Sequence, residues 1–226
     1  MDPSRRLPKH EPDEVLAIVK KYVVRRGGSS TSAHRVKRAV DALLELSAVK
    51  QYLHKRSTAQ INAFATHASR YFELYLPTGS IEISHTSRYS HRTGKSELCI
   101  LATLPLKVGQ VISDLKGSLA HLTVEEDEEL KKTDSRRRDG GIRRDFSVIH
   151  SNQKNKSHLF LGPARFVNHD CDHNVELFRD GRVITFRVIK PIATGQEVTA
   201  HYGEGYFGKG NRHCLCQTCE RLGRGG

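Results

Sequence analysis

The sequence predicts an α+β chain, and three observations carry that expectation. Apolar residues recur with a helical period up to about residue 76, they alternate with period two beyond residue 77, and Cys214, Cys216 and Cys219 cluster at the C-terminal end. A run of helices followed by a run of short strands is the pattern of helices segregated from antiparallel sheets.

In chain order, Glu14 to Arg26 places Val15, Leu16, Ile18, Val19, Tyr22 and Val23 on a helical face that ends at Gly27-Gly28. Residues 33–55 repeat the period through Val36, Val40, Leu43, Leu44, Leu46, Val49 and Leu53. A third helix starts from Ser57 or Thr58 as N-cap and aligns Ile61, Phe64, Ala65, Ala68, Phe72 and Leu76. These segments, 1–76, are expected to form a small helical bundle, either a cover for one edge of the next domain or a docking surface. Strands are expected at Ile81 to Ser84, Leu98 to Thr103, Val111 to Asp114, Phe146 to His150 and Leu159 to Leu161. Val175 to Phe178 and Val183 to Val188 form a hairpin around Asp180-Gly181, a type I′ turn signal, and Glu197 to Tyr202 is a last strand. Thr123 opens a short acidic helix with Glu126 spaced for a capping box. A basic loop with Arg136, Arg137, Arg138, Arg143 and Arg144 follows. It either grips phosphates or is a solvated insertion partly neutralised by its acidic neighbour.

At 226 residues and 37% hydrophobic content the chain is long enough for one catalytic domain with a helical annex. No apolar run approaches the roughly 20 residues of a membrane span. The formal charge of +12 fits either a polyanionic partner such as nucleic acid or a lysine-rich solvated surface. With no tryptophan, an aromatic platform for single-stranded nucleic acid is not expected. The chain ends at Arg224-Gly225-Gly226, just beyond the cysteines, as an excised domain or a complete short protein would.

Cys214, Cys216 and Cys219 form C-x-C-x-x-C, three soft ligands close enough for one tetrahedral Zn²⁺. The fourth is expected to be Cys171, in a polar segment; Cys99, inside an apolar run, and a histidine such as His213 are the alternatives. An odd total of five cysteines, the tight clustering of three of them and the lack of a signal peptide fit a metal in a reducing compartment better than disulfides. Four thiolates leave no open position, so the ion would be structural.

Asn168-His169-Asp170-Cys171, then Glu197-Val198-Thr199-Ala200-His201-Tyr202-Gly203, then Cys214-Leu215-Cys216-Gln217-Thr218-Cys219 resemble, in this order, the blocks of SET-domain lysine methyltransferases with their post-SET zinc motif. Asp145-Phe146-Ser147-Val148, Gly162-Pro163-Ala164-Arg165-Phe166 and Tyr202-Gly203-Glu204-Gly205-Tyr206-Phe207-Gly208 are similar to the suppressor-of-variegation 4-20 branch, the histone H4 lysine 20 methyltransferases, fungal members included. The resemblance covers residues 80–222 well and the helical region more loosely.

It implies a SET fold of small, mostly antiparallel sheets over 77–203, a threaded C-terminal segment and a post-SET tail over 204–226. It implies S-adenosyl-L-methionine as methyl donor, one structural Zn²⁺, the histone H4 tail and nucleosome as partners with DNA contacted through basic surfaces, and a place in the nucleus on chromatin. By the same resemblance Tyr202 and Ser147 border the reacting amine. Asn168 and His169 hold the cofactor, Leu215 packs on its adenine, and Phe207 lines the approach to its methyl group. Tyr89, Gly94, Lys95, Ser96 and Glu97 stand in the place of the N-terminal cofactor segment, and Ser147 also borders the cofactor. The usual Gly-x-Gly is replaced there by Arg92-Thr93-Gly94-Lys95; His173 stands where proline is common, and His201 where an acidic residue is common.

Overall fold

The computed structural model describes residues 11–24, 31–88, 97–128, 148–151, 156–181 and 183–225. Two compact units interleave along the chain: Met1–Phe72 with Gly117–Arg165, and Glu73–Lys116 with Phe166–Gly226.

The first unit is helical with one sheet. Helix α1 (Glu11–Ile18) runs on as a π-helix over Val19–Val24, which buries Val19 and Val23. The single helix expected over 33–55 is two, α2 (Ser32–Glu45) and α3 (Ser47–Leu53). Leu46 turns extended (φ −61°, ψ 135°), its amide closing α2 onto the Leu43 carbonyl and its carbonyl opening α3 to the Lys50 amide. The break re-aims the chain so that Val36, Val40 and Leu43 are buried from one helix and Leu53 from the next. Helix α4 (Thr58–Leu74) is N-capped by Ser57, whose hydroxyl accepts the Gln60 amide while the Gln60 side chain accepts the Ser57 amide. The Thr123–Glu126 capping box forms in the same reciprocal way. Strands β3 (Ser118–His121), β4 (Val148–Ser151) and β5 (Lys156–Leu161) pair antiparallel in the order β3-β5-β4; β3 is a strand that the alternation did not single out.

The second unit holds the candidate site. Strands β1 (Ile81–Thr86) and β2 (Glu97–Ala102) form an antiparallel pair, with Ile81, Cys99, Ile100 and Ala102 buried. The four-stranded sheet has the order β6-β9-β7-β8, from β6 (Asn168–His169), β7 (Val175–Asp180), β8 (Val183–Val188) and β9 (Thr199–Ala200). The β7–β8 hairpin is antiparallel, whereas β9 lies parallel to both β6 and β7. Register pairs Asp180 with Val183, so Asp180 ends the strand and Gly181, at φ +56°, begins the loop; Arg182 lies outside the described residues. Helix α5 (Gln217–Arg221) is N-capped by the Cys216 sulfur and carries Cys219.

Two expected strands are shorter than the alternation predicts, and in each a side chain takes a backbone group of the segment. Around Val111 to Asp114 only an isolated bridge from Val111 to Arg187 forms. Thr185 donates its hydroxyl to the Ile112 carbonyl, and the Asp114 carboxylate accepts the Ser80 amide and hydroxyl. In the Glu197 to Tyr202 stretch, the Asn174 side chain donates to the Glu197 carbonyl (2.8 Å) and accepts the Thr199 amide (2.9 Å), leaving a two-residue ladder.

Candidate functional site

Between β6 and β9 the sheet sets Asn168 opposite Thr199 and His169 opposite Ala200, so the Val167–Cys171 segment runs beside the approach to Tyr202. The Tyr202 hydroxyl donates to the Val167 carbonyl at 2.6 Å, and its amide donates to His169 Nδ1 at 3.2 Å. Around it stand Phe207, near-parallel to the Tyr202 ring at 6.3 Å between centroids, and Tyr206, edge-on at 5.0 Å. The His169 ring packs on Phe207 at 5.0 Å. Tyr202 is 40% exposed, so this aromatic face is open to a ligand rather than closed into the core. Aromatic faces attract cations, which suits both a sulfonium and an alkylated ammonium.

Asn168 donates Nδ2 to the Leu98 carbonyl (3.1 Å) and to Glu197 Oε1 (2.9 Å). Its side chain therefore braces the strands, and the group it can turn toward a cofactor is Oδ1. Burial pushes the Glu197 carboxyl up, against the opposing pull of the Asn168 hydrogen bond and the Arg88 guanidinium. Burial, with His201 next, pushes the His169 imidazole down to about 4. Arg88 also reaches Glu220 of α5 at 2.8 Å, tying the end of β1 to the C-terminal helix.

The cysteines converge. Cys171 Sγ lies 3.9 Å from Cys214 Sγ and 3.5 Å from Cys219 Sγ, and the amides of Cys171 and Cys219 each donate to Cys216 Sγ at 3.4 Å. Four sulfurs around a tetrahedral zinc with Zn–S of about 2.3 Å stand about 3.8 Å apart, so these separations fit one ion. Burial pushes the Cys214 thiol up to about 12 and raises that of Cys171, which the hydrogen bond to Cys219 raises further. Burial pushes Cys216 up too, but the Cys171 and Cys219 amides and the Cys214 thiol, all donating to its sulfur, together hold that thiol below its ordinary value. Thiols this crowded need a cation before all can ionise. His169, Cys171, Cys214 and Cys216 place one ligand atom each within 4.8 Å of one another. Cys99 is a buried core side chain, its thiol raised to about 11 by burial, and His213 is exposed, with Nε2 accepting from Arg212; neither joins the cluster.

The structure thus brings together Asn168, His169, Tyr202 and Phe207 on one side and Cys171, Cys214, Cys216 and Cys219 on the other, with Leu215 half-buried between two of the cysteines. Glu97 begins β2. Tyr89, Gly94, Lys95, Ser96 and Ser147, with the arginine-rich loop, lie outside the described residues. Asp170, Asn174 and Glu197 are site-building residues that the sequence reading missed. Asp170 accepts the Thr218 hydroxyl (2.5 Å) and amide (3.3 Å), docking the first turn of α5 onto the β6 segment. The signal for Asp170 and Asn174 was a largely polar block, Asn168 to Asn174, leading into the apolar Val175; such residues are buried only when hydrogen-bonded.

Fold and site define the class. Residues 97–203 match the SET domain family. The chain is 33% identical over 223 residues to the histone-lysine N-methyltransferase set9 of Schizosaccharomyces pombe, a match that covers 99% of this chain and 46% of that relative. It is 38% identical over 190 residues to the histone-lysine N-methyltransferase SET9 of Yarrowia lipolytica, covering 84% and 21%, and 38% identical over 186 residues to set9 of Aspergillus terreus, covering 81% and 28%. The chain spans less than half the length of these relatives.

Proposed function

We propose that the chain is an S-adenosylmethionine-dependent protein lysine N-methyltransferase that acts on histone H4 lysine 20 of nucleosomes in the nucleus. The observation that supports it best is Tyr202, whose hydroxyl is held at 2.6 Å on the Val167 carbonyl beside an open aromatic face. When bound, S-adenosylmethionine supplies an electrophilic methyl group on a sulfonium. What the chain has to do is align an amine with that group, since positioning alone is worth several kcal/mol. A Tyr202 hydroxyl whose proton is committed to Val167 can meet the amine only as an acceptor, orienting it through its N–H. Phe207, half-buried against the Tyr202 ring, shields one side of the approach from water. A lysine, ordinarily near pKa 10.4, must lose its proton to attack, and desolvation against these rings favours the neutral form.

Asn168 Oδ1 and the backbone of Asn168 and His169 face the cofactor in this reading, with Leu215 on its adenine and Phe207 on the methyl side. Tyr89, Gly94, Lys95, Ser96, Glu97 and Ser147 complete the pocket. Cys171, Cys214, Cys216 and Cys219 hold one structural Zn²⁺, which fixes Leu215 between its ligands. The helical bundle over 1–76, the SET domain over 77–203 and the post-SET tail over 204–226 form the working organisation. The fungal relatives' names support the histone substrate, and the +12 charge supports contact with nucleosomal DNA. Calorimetry with S-adenosylmethionine on zinc-loaded protein tests the reading: binding in the micromolar range is expected, and the absence of heat at millimolar cofactor would leave a zinc-braced binding module instead.

A further inference from the structure

His169 faces two partners at once. Its Nδ1 accepts the Tyr202 amide at 3.2 Å, and its Nε2 lies 3.4 Å from Cys171 Sγ. An amide donor at Nδ1 needs a lone pair there, so the neutral ring carries its proton on Nε2. That proton points at sulfur, and Nε2 has no lone pair left for a metal. Zinc-bound histidines have the opposite arrangement, one nitrogen on the ion and an N–H on the other donated outward. His169 is therefore a donor beside the four sulfurs, although its Nε2 lies near enough to be counted among metal ligands.

We propose that His169 is a positioning residue that couples the zinc cysteines to Tyr202, by donating Nε2–H to the Cys171 thiolate while its Nδ1 holds the Tyr202 amide. Three residues of the Val167–Cys171 stretch then do three linked tasks. The Val167 carbonyl holds the Tyr202 hydroxyl, His169 holds its amide, and Cys171 enters the metal cluster. An N–H donated to a thiolate spreads the negative charge of a four-sulfur site and slows metal loss. In the other direction, seating the ion fixes Cys171, which fixes the imidazole, which fixes the tyrosine backbone. The ring is buried among Tyr202, His201 and Phe207 and has little room to turn away. The part of this role that concerns reaction rate rests on the methyl-transfer function of Tyr202; the structural coupling does not.

The test uses the whole 226-residue chain, wild type, His169→Phe and His169→Gln, loaded with zinc or with cobalt. Phenylalanine keeps the volume and loses both contacts; glutamine restores an acceptor and a donor about as far apart as the two ring nitrogens. Three readouts are taken: zinc release to a chelator, hydrogen exchange at the Tyr202 amide, and the visible spectrum of the cobalt form. His169→Phe is expected to release zinc about 10-fold faster and to exchange the Tyr202 amide about 10-fold faster, with His169→Gln within about threefold of wild type. Stripping zinc from the wild type should speed the same amide. The sulfur-to-cobalt bands should be unchanged in all three proteins. A cobalt spectrum that gains or loses a nitrogen ligand between wild type and His169→Phe overturns the proposal, because His169 is then a ligand. Tyr202 exchange indifferent to both zinc and His169 overturns it too. Wild-type protein that shows the expected coupling yet transfers no methyl group would remove the proposed enzymatic function and leave the coupling standing.

Discussion

Glu197 shows what a single buried carboxyl costs at this site. Its pKa is raised by burial, so as pH climbs above the ordinary carboxyl value of 4.5 the unfolded chain releases the proton while the folded chain retains it. Stability contributed by this group therefore falls with rising pH from about 4.5 until the folded pKa is passed. Glu197→Gln keeps an acceptor for Asn168 and should show a flatter stability profile from pH 4.5 upward, measured by urea denaturation; a wild-type profile parallel to that of the variant would contradict the assignment. At this scale the sequence was uneven in what it disclosed. Cys171 could be selected because a thiol in a polar stretch needs a reason, and Tyr202 because the surrounding block resembles a family. The two-sided hydrogen bonding of His169 and the bracing role of Asn168 could not be read, since they depend on which ring nitrogen meets the Tyr202 amide, 33 residues away, and which amide proton meets Glu197, 29 residues away.

Elements were legible where apolar period and capping agree, as in α2, α4 and the β7–β8 hairpin. They were misread where a polar side chain satisfies the backbone in place of a neighbouring strand. Asn174, 5% exposed, is the clearest instance, bonding both the Glu197 carbonyl and the Thr199 amide. Asn174→Ala leaves two part-buried backbone groups unpaired and should cost about 2–4 kcal/mol, read as a lower midpoint in thermal or urea unfolding. Asn174→Asp restores the acceptor for Thr199 alone and should fall between. The C-terminal turn has a tighter constraint. Gly225 sits at φ +84°, and a Cβ there would lie 2.0 Å from the Cys214 carbonyl oxygen. Gly225→Ala must move Cys214 or the tail and should raise zinc release about 10-fold without altering the helices of the first unit; unchanged release would mean that the tail yields before the cysteine does.

For the molecule as a whole, the sequence disclosed an α+β chain and its C-terminal metal motif but not the insertion of β9 between β6 and β7, parallel to both, which no periodicity encodes. That insertion is what sets Tyr202 beside His169. The basic balance of the chain predicts that methyl transfer to nucleosomes falls steeply between about 50 and 200 mM salt if several phosphates are contacted, while transfer to a short H4 peptide changes much less. Equal salt responses would remove DNA contact from the account. Chelation of zinc should abolish cofactor binding by freeing Leu215, and readdition of zinc should restore it, measured by calorimetry.

The central claim is that Tyr202 aligns a lysine amine for methyl transfer, and mass spectrometry of nucleosomes incubated with S-adenosylmethionine and either wild-type or Tyr202→Phe protein tests it most directly. The expected result is methylation of H4 lysine 20 by the wild type and a rate lower by about 100-fold in the variant, with the fold intact because only one hydroxyl is lost. Undiminished methylation by Tyr202→Phe, or a wild type that leaves every histone lysine unmodified, would contradict it.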